Sequence, residues 1–197
     1  MGARLPRGER REQLLRVALD VVRGEGTDAL TLVRLAERAG VSRPVVYDHF
    51  GTREGLLTAL YAAYDEGIGR TIRAALRTGG RSLEDVAAVL AGAYVDGVLD
   101  AGPECEDVLA ALSGNPRTRE VRSRSQEFYI EEFRAALAPY RPLSRDADLA
   151  LLIGVFSTVD GLARAAASGR VSRDQAVAAS TEIIVGALTA PDGARRR

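Results

Sequence analysis

The sequence predicts an all-α protein of about nine helices, and three observations carry that prediction. Apolar residues recur at three- and four-residue spacing along nearly the whole chain, Ala, Leu, Arg and Glu fill the positions between them, and Gly or Pro punctuates the end of each periodic run. With 197 residues, 46% of them hydrophobic, the chain can bury a sizeable core as one domain or as a small head joined to a larger body.

The elements follow in order. A first helix spans about Glu9 to Arg23, with Leu14, Leu15, Ala18, Leu19 and Val22 on one stripe and Gly24 and Gly26 at its end. Three shorter pieces follow. A longer helix begins at Thr52, continues to about Arg77 and stops at Gly79-Gly80; it reads as a connector. Ser82 to Ala101 is the next helix, broken by Gly102-Pro103; Glu104 to Leu112 is short, and Ser113-Gly114-Asn115-Pro116 breaks it. Arg117 to Ala138 is long and closed by Pro139 and Pro142, and another helix opens at Ser144 or Arg145 and reaches Ala167. The last starts at Ser172, where Ser172 and Gln175 have capping-box spacing, and finishes before Pro191. The expected organisation is a head over 1–54, a connector helix over 55–81, a helical body over 82–190 and a disordered, Arg-rich tail over 191–197.

Composition narrows the function classes. A single cysteine, Cys105, rules out an intramolecular disulfide framework and suits a reducing cytoplasm, with a small buried apolar residue as its expected role. The N-terminus lacks the apolar segment of a secretion signal, and the most apolar stretch, Leu149 to Val159, is too short to cross a bilayer, so a cytoplasmic protein without membrane insertion is expected. One Cys, one His, no Gly-rich phosphate loop and no metal-spaced cluster argue against an enzyme, a cofactor or a metal. Net charge is zero, yet residues 1–54 carry ten Arg against eight acids and the remainder seventeen Arg against nineteen. Arg4, Arg7, Arg10 and Arg11 form a basic arm that is either a phosphate contact or a solvated tail.

The informative stretch runs from Thr31 to Phe50. Thr31 is a candidate N-cap, Leu32, Leu35 and Ala36 form an inward stripe, and Gly40 tolerates the positive φ that a tight turn between two crossing helices demands. Val41 fills the space under that turn, Ser42 caps the second helix, and Pro44 falls in its first turn, where a missing N–H does no harm. This is the pattern of a helix-turn-helix, whose second helix meets base edges with its N-terminal residues. Arg43 has the fork that pairs with guanine, Val45 can meet a thymine methyl, and Tyr47, His49 and Arg53 suit backbone phosphates. The plainer alternatives are a satisfied histidine at a helix end for His49, a core position for Tyr47 and an ordinary solvated arginine for Arg43.

The segment from about Ala29 to Leu60, through Thr31, Ala36, Ala39-Gly40-Val41-Ser42, Tyr47, His49-Phe50, Arg53-Glu54 and Leu56-Leu57, resembles the DNA-binding signature of the tetracycline-repressor (TetR) family of transcriptional regulators. The resemblance implies that Thr31, Tyr47, His49 and Arg53 touch phosphates and that Arg43, Pro44 and Val45 face bases, with Ser42 beside them in the DNA-binding set. It also implies a homodimer on a palindromic double-stranded DNA operator, and a body that takes a small-molecule effector. A repressor released by a mainly apolar effector is the expected form, and an activator is the alternative. The chain departs from the family at Arg53, where Lys is usual, at Val45, which is bulkier than the residue often found there, and at Gly55, which replaces a better helix former at a cost of roughly 1 kcal/mol.

In the body, Gly154, Ser157, Gly161 and Ala165 make a strip of small residues on one helix. The last helix answers with Ala176, Ser180, Ile183 and Ala187 on one face and Val177, Ile184 and Leu188 beside it. These two helices are the expected dimer surface, a pair from each subunit forming a four-helix bundle; the alternative is packing within one subunit. Tyr94, Phe128, Phe133 and Phe156 are the candidate pocket lining, although aromatic residues at helical spacing are more often core. Asp160 interrupts an apolar run and has three roles open to it: an internal partner group, a polar point at the dimer seam, or a ligand contact.

Overall fold

Nine α-helices and one short 3-10 helix account for most of the described residues, and no strand occurs among them. The structure, a computed structural model, describes residues 5–78, 82–112 and 116–190. Arg4, the Gly79-Gly80 stop, the 113–115 break and the expected tail lie outside them. The helices are α1 (Arg7–Glu25), α2 (Leu32–Ala39), α3 (Arg43–Phe50), α4 (Arg53–Thr78), α5 (Leu83–Ala101), α6 (Pro103–Leu112), α7 (Pro116–Leu137), α8 (Leu149–Ala167) and α9 (Arg173–Thr189), with the 3-10 helix at Thr27–Ala29.

The chain forms two units, one made of Met1–Tyr64 and Pro103–Arg122, the other of Asp65–Gly102 and Ser123–Arg197. The first has its own core: Leu14, Ala18 and Val21 of α1, Leu35 of α2, Val46 and Phe50 of α3, and Leu56, Leu57 and Leu60 of α4. Val108, Leu109 and Leu112 of α6 complete it, each almost fully buried. The expected body over 82–190 is therefore not one continuous block, because α6 presents its apolar stripe to the head instead. Cys105 lies half-buried beside the same core.

In the second unit α5 packs against both α8 and α9, which also pack against each other. Its core joins Leu90, Tyr94 and Val95 of α5 to Tyr129, Phe133 and Leu137 of α7, to Leu152, Val155, Phe156 and Val159 of α8, and to Ile184 and Leu188 of α9. Ile68 and Ile72 of α4 close it. Two glycines permit close approach: a Cβ on Gly97 would lie 2.7 Å from Ile68 Cγ1, and one on Gly69 would lie 2.5 Å from Phe128 Cζ.

Side-chain caps mark the starts of α2, α5 and α9. Ser82 with Asp85 and Ser172 with Gln175 each form a reciprocal capping box, the second as the spacing predicts. Helix α8 starts later than Ser144 or Arg145, because the intervening residues close on themselves. Ser144 N–H donates to Asp148 Oδ2 at 2.8 Å and Ala147 N–H to Ser144 Oγ at 3.3 Å, which satisfies those groups outside a helix. The same helix corrects the membrane count. Its 19 residues are long and apolar enough on average to span a bilayer, since the apolar run resumes beyond Asp160. Leu152, Val155, Phe156, Val159 and Ala163 nevertheless face the core, as in a soluble protein's core helix.

Candidate nucleic-acid interface

The head builds its exposed surface from three short connections. Arg34 donates from Nε and Nη2 to the two carboxylate oxygens of Glu25 at 2.9 and 3.0 Å, tying the start of α2 to the end of α1 and holding the Glu25 carboxyl below its ordinary range. Thr31 caps α2, its hydroxyl oxygen accepting from Arg34 N–H at 3.0 Å. Gly40 then takes the left-handed conformation, φ 64° and ψ 34°, and Val41 N–H returns to the Ala36 carbonyl at 3.1 Å, so the chain reverses into α3.

On α3, Val46 and Phe50 are buried in the head core and fix which side faces outward. Ser42, Arg43, Pro44 and Tyr47 are exposed, Tyr47 by 49%, while Val45 and His49 are half-buried. The core position weighed for Tyr47 is thereby excluded. Arg43 and Pro44 are the first two residues of the helix, so the guanidinium projects from the end that a groove-reading helix inserts. Ser42 has the extended backbone of an N-cap, but its side chain makes no capping hydrogen bond, in contrast to the expected cap; Pro44 removes one of the amides that such a cap serves. Burial lowers the His49 pKa, and the charges of Arg7, Arg11 and Arg10 lower it further against an opposing Asp48.

Arg53 is also engaged within the head. Its Nε donates to the Leu30 carbonyl at 2.9 Å and Nη2 to the Thr27 carbonyl at 2.7 Å, with the Asp28 carboxylate 3.8 Å away. Two fork donors thus hold the main chain leading into α2 rather than projecting freely towards a phosphate. Gly55 acquires a reason as well: a Cβ there would lie 2.2 Å from the Phe50 carbonyl oxygen, so the first turn of α4 admits no side chain at that point. Sequence reasoning missed this contact, and it missed the hold of Arg7 and Arg11 on α3. Arg7 and Arg11 continue the buried stripe of Leu14 and Ala18 towards the N-terminus, a placement legible in hindsight from the alternating four- and three-residue spacing.

In the second unit the candidate pocket residues Tyr94, Phe133 and Phe156 are buried and Phe128 is half-buried. Their rings pack on one another. Tyr94 meets Phe156 edge-on at 5.4 Å and Tyr129 at 4.9 Å, while Tyr129 stacks on Phe156 at 5.3 Å. Asp160 is a partner group, accepting from Tyr94 Oη at 2.8 Å and from Arg164 Nε at 3.0 Å. A second carboxyl, Asp65, accepts from Ser125 Oγ at 3.0 Å, and burial pushes it up to about 6 against the hydrogen bonds of Ser125 and Tyr129, with Asp160 adding to the rise.

Of the strip on α8, Gly154, Ser157 and Gly161 are exposed, beside Leu149 at 44% and Ile153 at 37%. On α9, Ile183 is exposed at 41% and Ala187 is half-buried. Ala176, Ser180 and Ile184 are buried in the protomer on the face that α9 turns towards α5 and α8, and Ala165 is buried near the end of α8.

Residues 14–60 match the family model described as bacterial regulatory proteins, tetR family. Over 77 residues the chain is 43% identical to the HTH-type transcriptional activator FasR of Mycolicibacterium smegmatis, covering 39% of this chain and 35% of that one. Over 53 residues it is 45% identical to the class C tetracycline repressor protein of Escherichia coli, covering 27% and 24%. The chain thus spans about a third of the first curated relative and a quarter of the second. A putative TetR-family regulator from Rhodococcus sp. superposes with a TM-score of 0.69 over 92% of this chain and all of that one, at 21% identity, which shows the fold. Residues 14–60 thus carry the sequence of the tetR family of bacterial regulatory proteins, and the chain shares the fold of a putative TetR-family regulator.

Proposed function

We propose that the protein is a ligand-responsive transcriptional repressor that binds a palindromic DNA operator as a homodimer and is released by a small, mainly apolar effector. The observation that carries the DNA-binding part is the exposed first turn of α3, where Arg43 projects beside Ser42 and Pro44 while Val46 and Phe50 anchor the opposite side. In this reading Thr31, Tyr47 and His49 contact phosphates and Val45 faces a base, and Arg53 joins them only through the guanidinium edge not directed at Leu30 and Thr27.

The homodimer reading rests on the exposed strip Gly154, Ser157 and Gly161, flanked by Leu149, Ile153 and Ile183. A Cβ on Gly154, Gly161 or Gly186 would meet nothing within 4 Å in the protomer, so this surface is open to a neighbouring helix pair. The effector reading rests on the aromatic cluster around Tyr94 and Phe156, with Phe128 and Phe133 at its edge and Asp160 as an orienting carboxylate. Activation is the second reading, favoured by the printed name of the FasR relative.

The test has three parts. A duplex selected from a random pool should carry a palindrome with half-sites about one helical turn or slightly more apart. Its binding should weaken steeply with salt, and sedimentation should give a dimer in solution. Effector candidates found by thermal shift among apolar and amphipathic compounds should bind less tightly when operator is saturating, by the same factor with which they weaken operator binding. A protein indifferent to every duplex sequence would refute the regulator reading, and a hit indifferent to operator would refute the effector part.

A further inference from the structure

Helix α3 is short, eight residues, and only Val46 and Phe50 bury it. The last four carbonyls of any helix lack partners within the helix. In α3 all four are satisfied, and in two different ways. The Tyr47 carbonyl accepts from Gly51 N–H at 2.8 Å and the Phe50 carbonyl from Thr52 N–H at 2.7 Å, both within the local chain. The other two go to α1: Arg7 Nη2 donates to the Asp48 carbonyl at 3.4 Å, and Arg11 Nη1 donates to the His49 carbonyl at 2.9 Å.

The two arginines are not equal. Arg7 is largely exposed, as is the Asp48 carboxylate 3.6 Å from it, so solvent weakens that pair. Arg11 is half-buried, and its guanidinium carbon also lies 5.0 Å over the ring of Phe50, one of the two side chains that anchor α3. A cation at the negative end of a helix and over an aromatic face gains from the helix dipole and the ring quadrupole at once. The planar fork is therefore fixed in place by groups belonging to α3 itself.

We propose that Arg11 is a positioning residue for the recognition helix: held between the His49 carbonyl and the Phe50 ring, it sets how α3 presents Ser42, Arg43 and Pro44, and it does so without touching DNA. The inference rests on the DNA-binding reading above. Its rival is the basic arm, in which Arg11 would be one more phosphate cation. The two differ in the salt dependence of binding. A phosphate contact releases counterions, so losing one flattens the slope of log affinity against log salt by about 0.9 and weakens every duplex alike. A positioning residue releases none, and its loss falls on the sequence that the helix reads.

The experiment uses the full chain, a duplex selected from a random pool and an unrelated duplex of equal length, followed by fluorescence anisotropy from 50 to 300 mM NaCl, over which the Debye length falls from about 14 to about 6 Å. Arg11→Ala should lose about tenfold in affinity for the selected duplex, change by less than about twofold on the unrelated one, and keep the wild-type slope. A flatter slope with equal loss on both duplexes would make Arg11 a phosphate contact and overturn the proposal, as would wild-type affinity throughout. Amide exchange in the DNA-free protein guards against a variant that misfolds. Arg11→Ala should speed exchange in the last turn of α3 while leaving Val21 and Leu35 protected, and unchanged exchange there would also overturn the proposal. A wild-type protein with no salt-dependent, sequence-selective binding would remove the DNA reading and this role together, whereas the Arg11→Ala outcomes remove the role alone.

Discussion

Replacing Asp65 with asparagine should stabilise the protein at neutral pH, and by a margin that shrinks as the pH falls. The carboxyl is pushed from 3.8 up to about 6, chiefly by burial, while Ser125 and Tyr129 hold it partway down. At about 1.4 kcal/mol for each pK unit, keeping this group ionised in the fold costs about 3 kcal/mol at pH 7.5. The folded state binds the proton more tightly than the unfolded chain, so the cost is absent well below pH 3.8, rises between that value and about 6, and is constant above. At pH 5 it is about half its full size. An asparagine oxygen can still accept from Ser125 and carries no charge to desolvate. Whatever constant difference the amide introduces, the gap between variant and wild type should widen between pH 5 and pH 7.5, by about 1 kcal/mol once the residual solvent contact of Asp65 is allowed for. Urea unfolding of both proteins at the two pH values measures it. A gap that is the same at both would show that Asp65 is ionised at ordinary acidity and that its burial has no such cost.

Gly55→Ala should destabilise by about 1–3 kcal/mol, although helix propensity alone promises a gain of about 1, because its Cβ would meet the Phe50 carbonyl; a raised thermal midpoint would contradict the close approach. Arg43→Ala should cost roughly 1–3 kcal/mol on a selected duplex and relax preference at one base pair per half-site, whereas His49→Ala should weaken all duplexes alike, both read by competition with single-base variants. Gly161→Leu should leave the protomer folded, since the site is open, yet shift sedimentation from dimer towards monomer and lower operator affinity as a consequence. A Gly161→Leu protein that remains a tight dimer places the interface elsewhere.

The all-α class, the helix order and the turn at Gly40 were legible because each rests on a local rule. The left-handed residue, the Ser172 and Gln175 box and the small Ala36 are decided within a few residues of themselves. Misses came where one particular partner group, near or far along the chain, decided the outcome. Arg53 looked like a free cation until the Leu30 and Thr27 carbonyls, more than twenty residues away, took two of its donors. Gly55 looked like a defect because nothing in a propensity scale contains the Phe50 oxygen. Ala176, Ser180 and Ile184 share a stripe with an apolar period, and a period tells that a face is covered without telling by what. Ser144 to Asp148 read as helix because Ser144 is a good cap, and the Asp148 carboxylate that takes its amide instead is only four residues on.

The place of α6 in the head gives that unit a timetable. Val108, Leu109 and Leu112 leave the ribosome about forty-five residues after Tyr64, which at 5–20 residues per second is roughly 2–10 seconds later. During that interval the helix that carries Arg43 and Tyr47 packs on a core with one wall still open to water. A head cut at Tyr64 and transplanted to another protein would stay in that unfinished condition, and a transplant that carries a tethered α6 along with residues 1–64 should be the shorter route to a head that folds by itself.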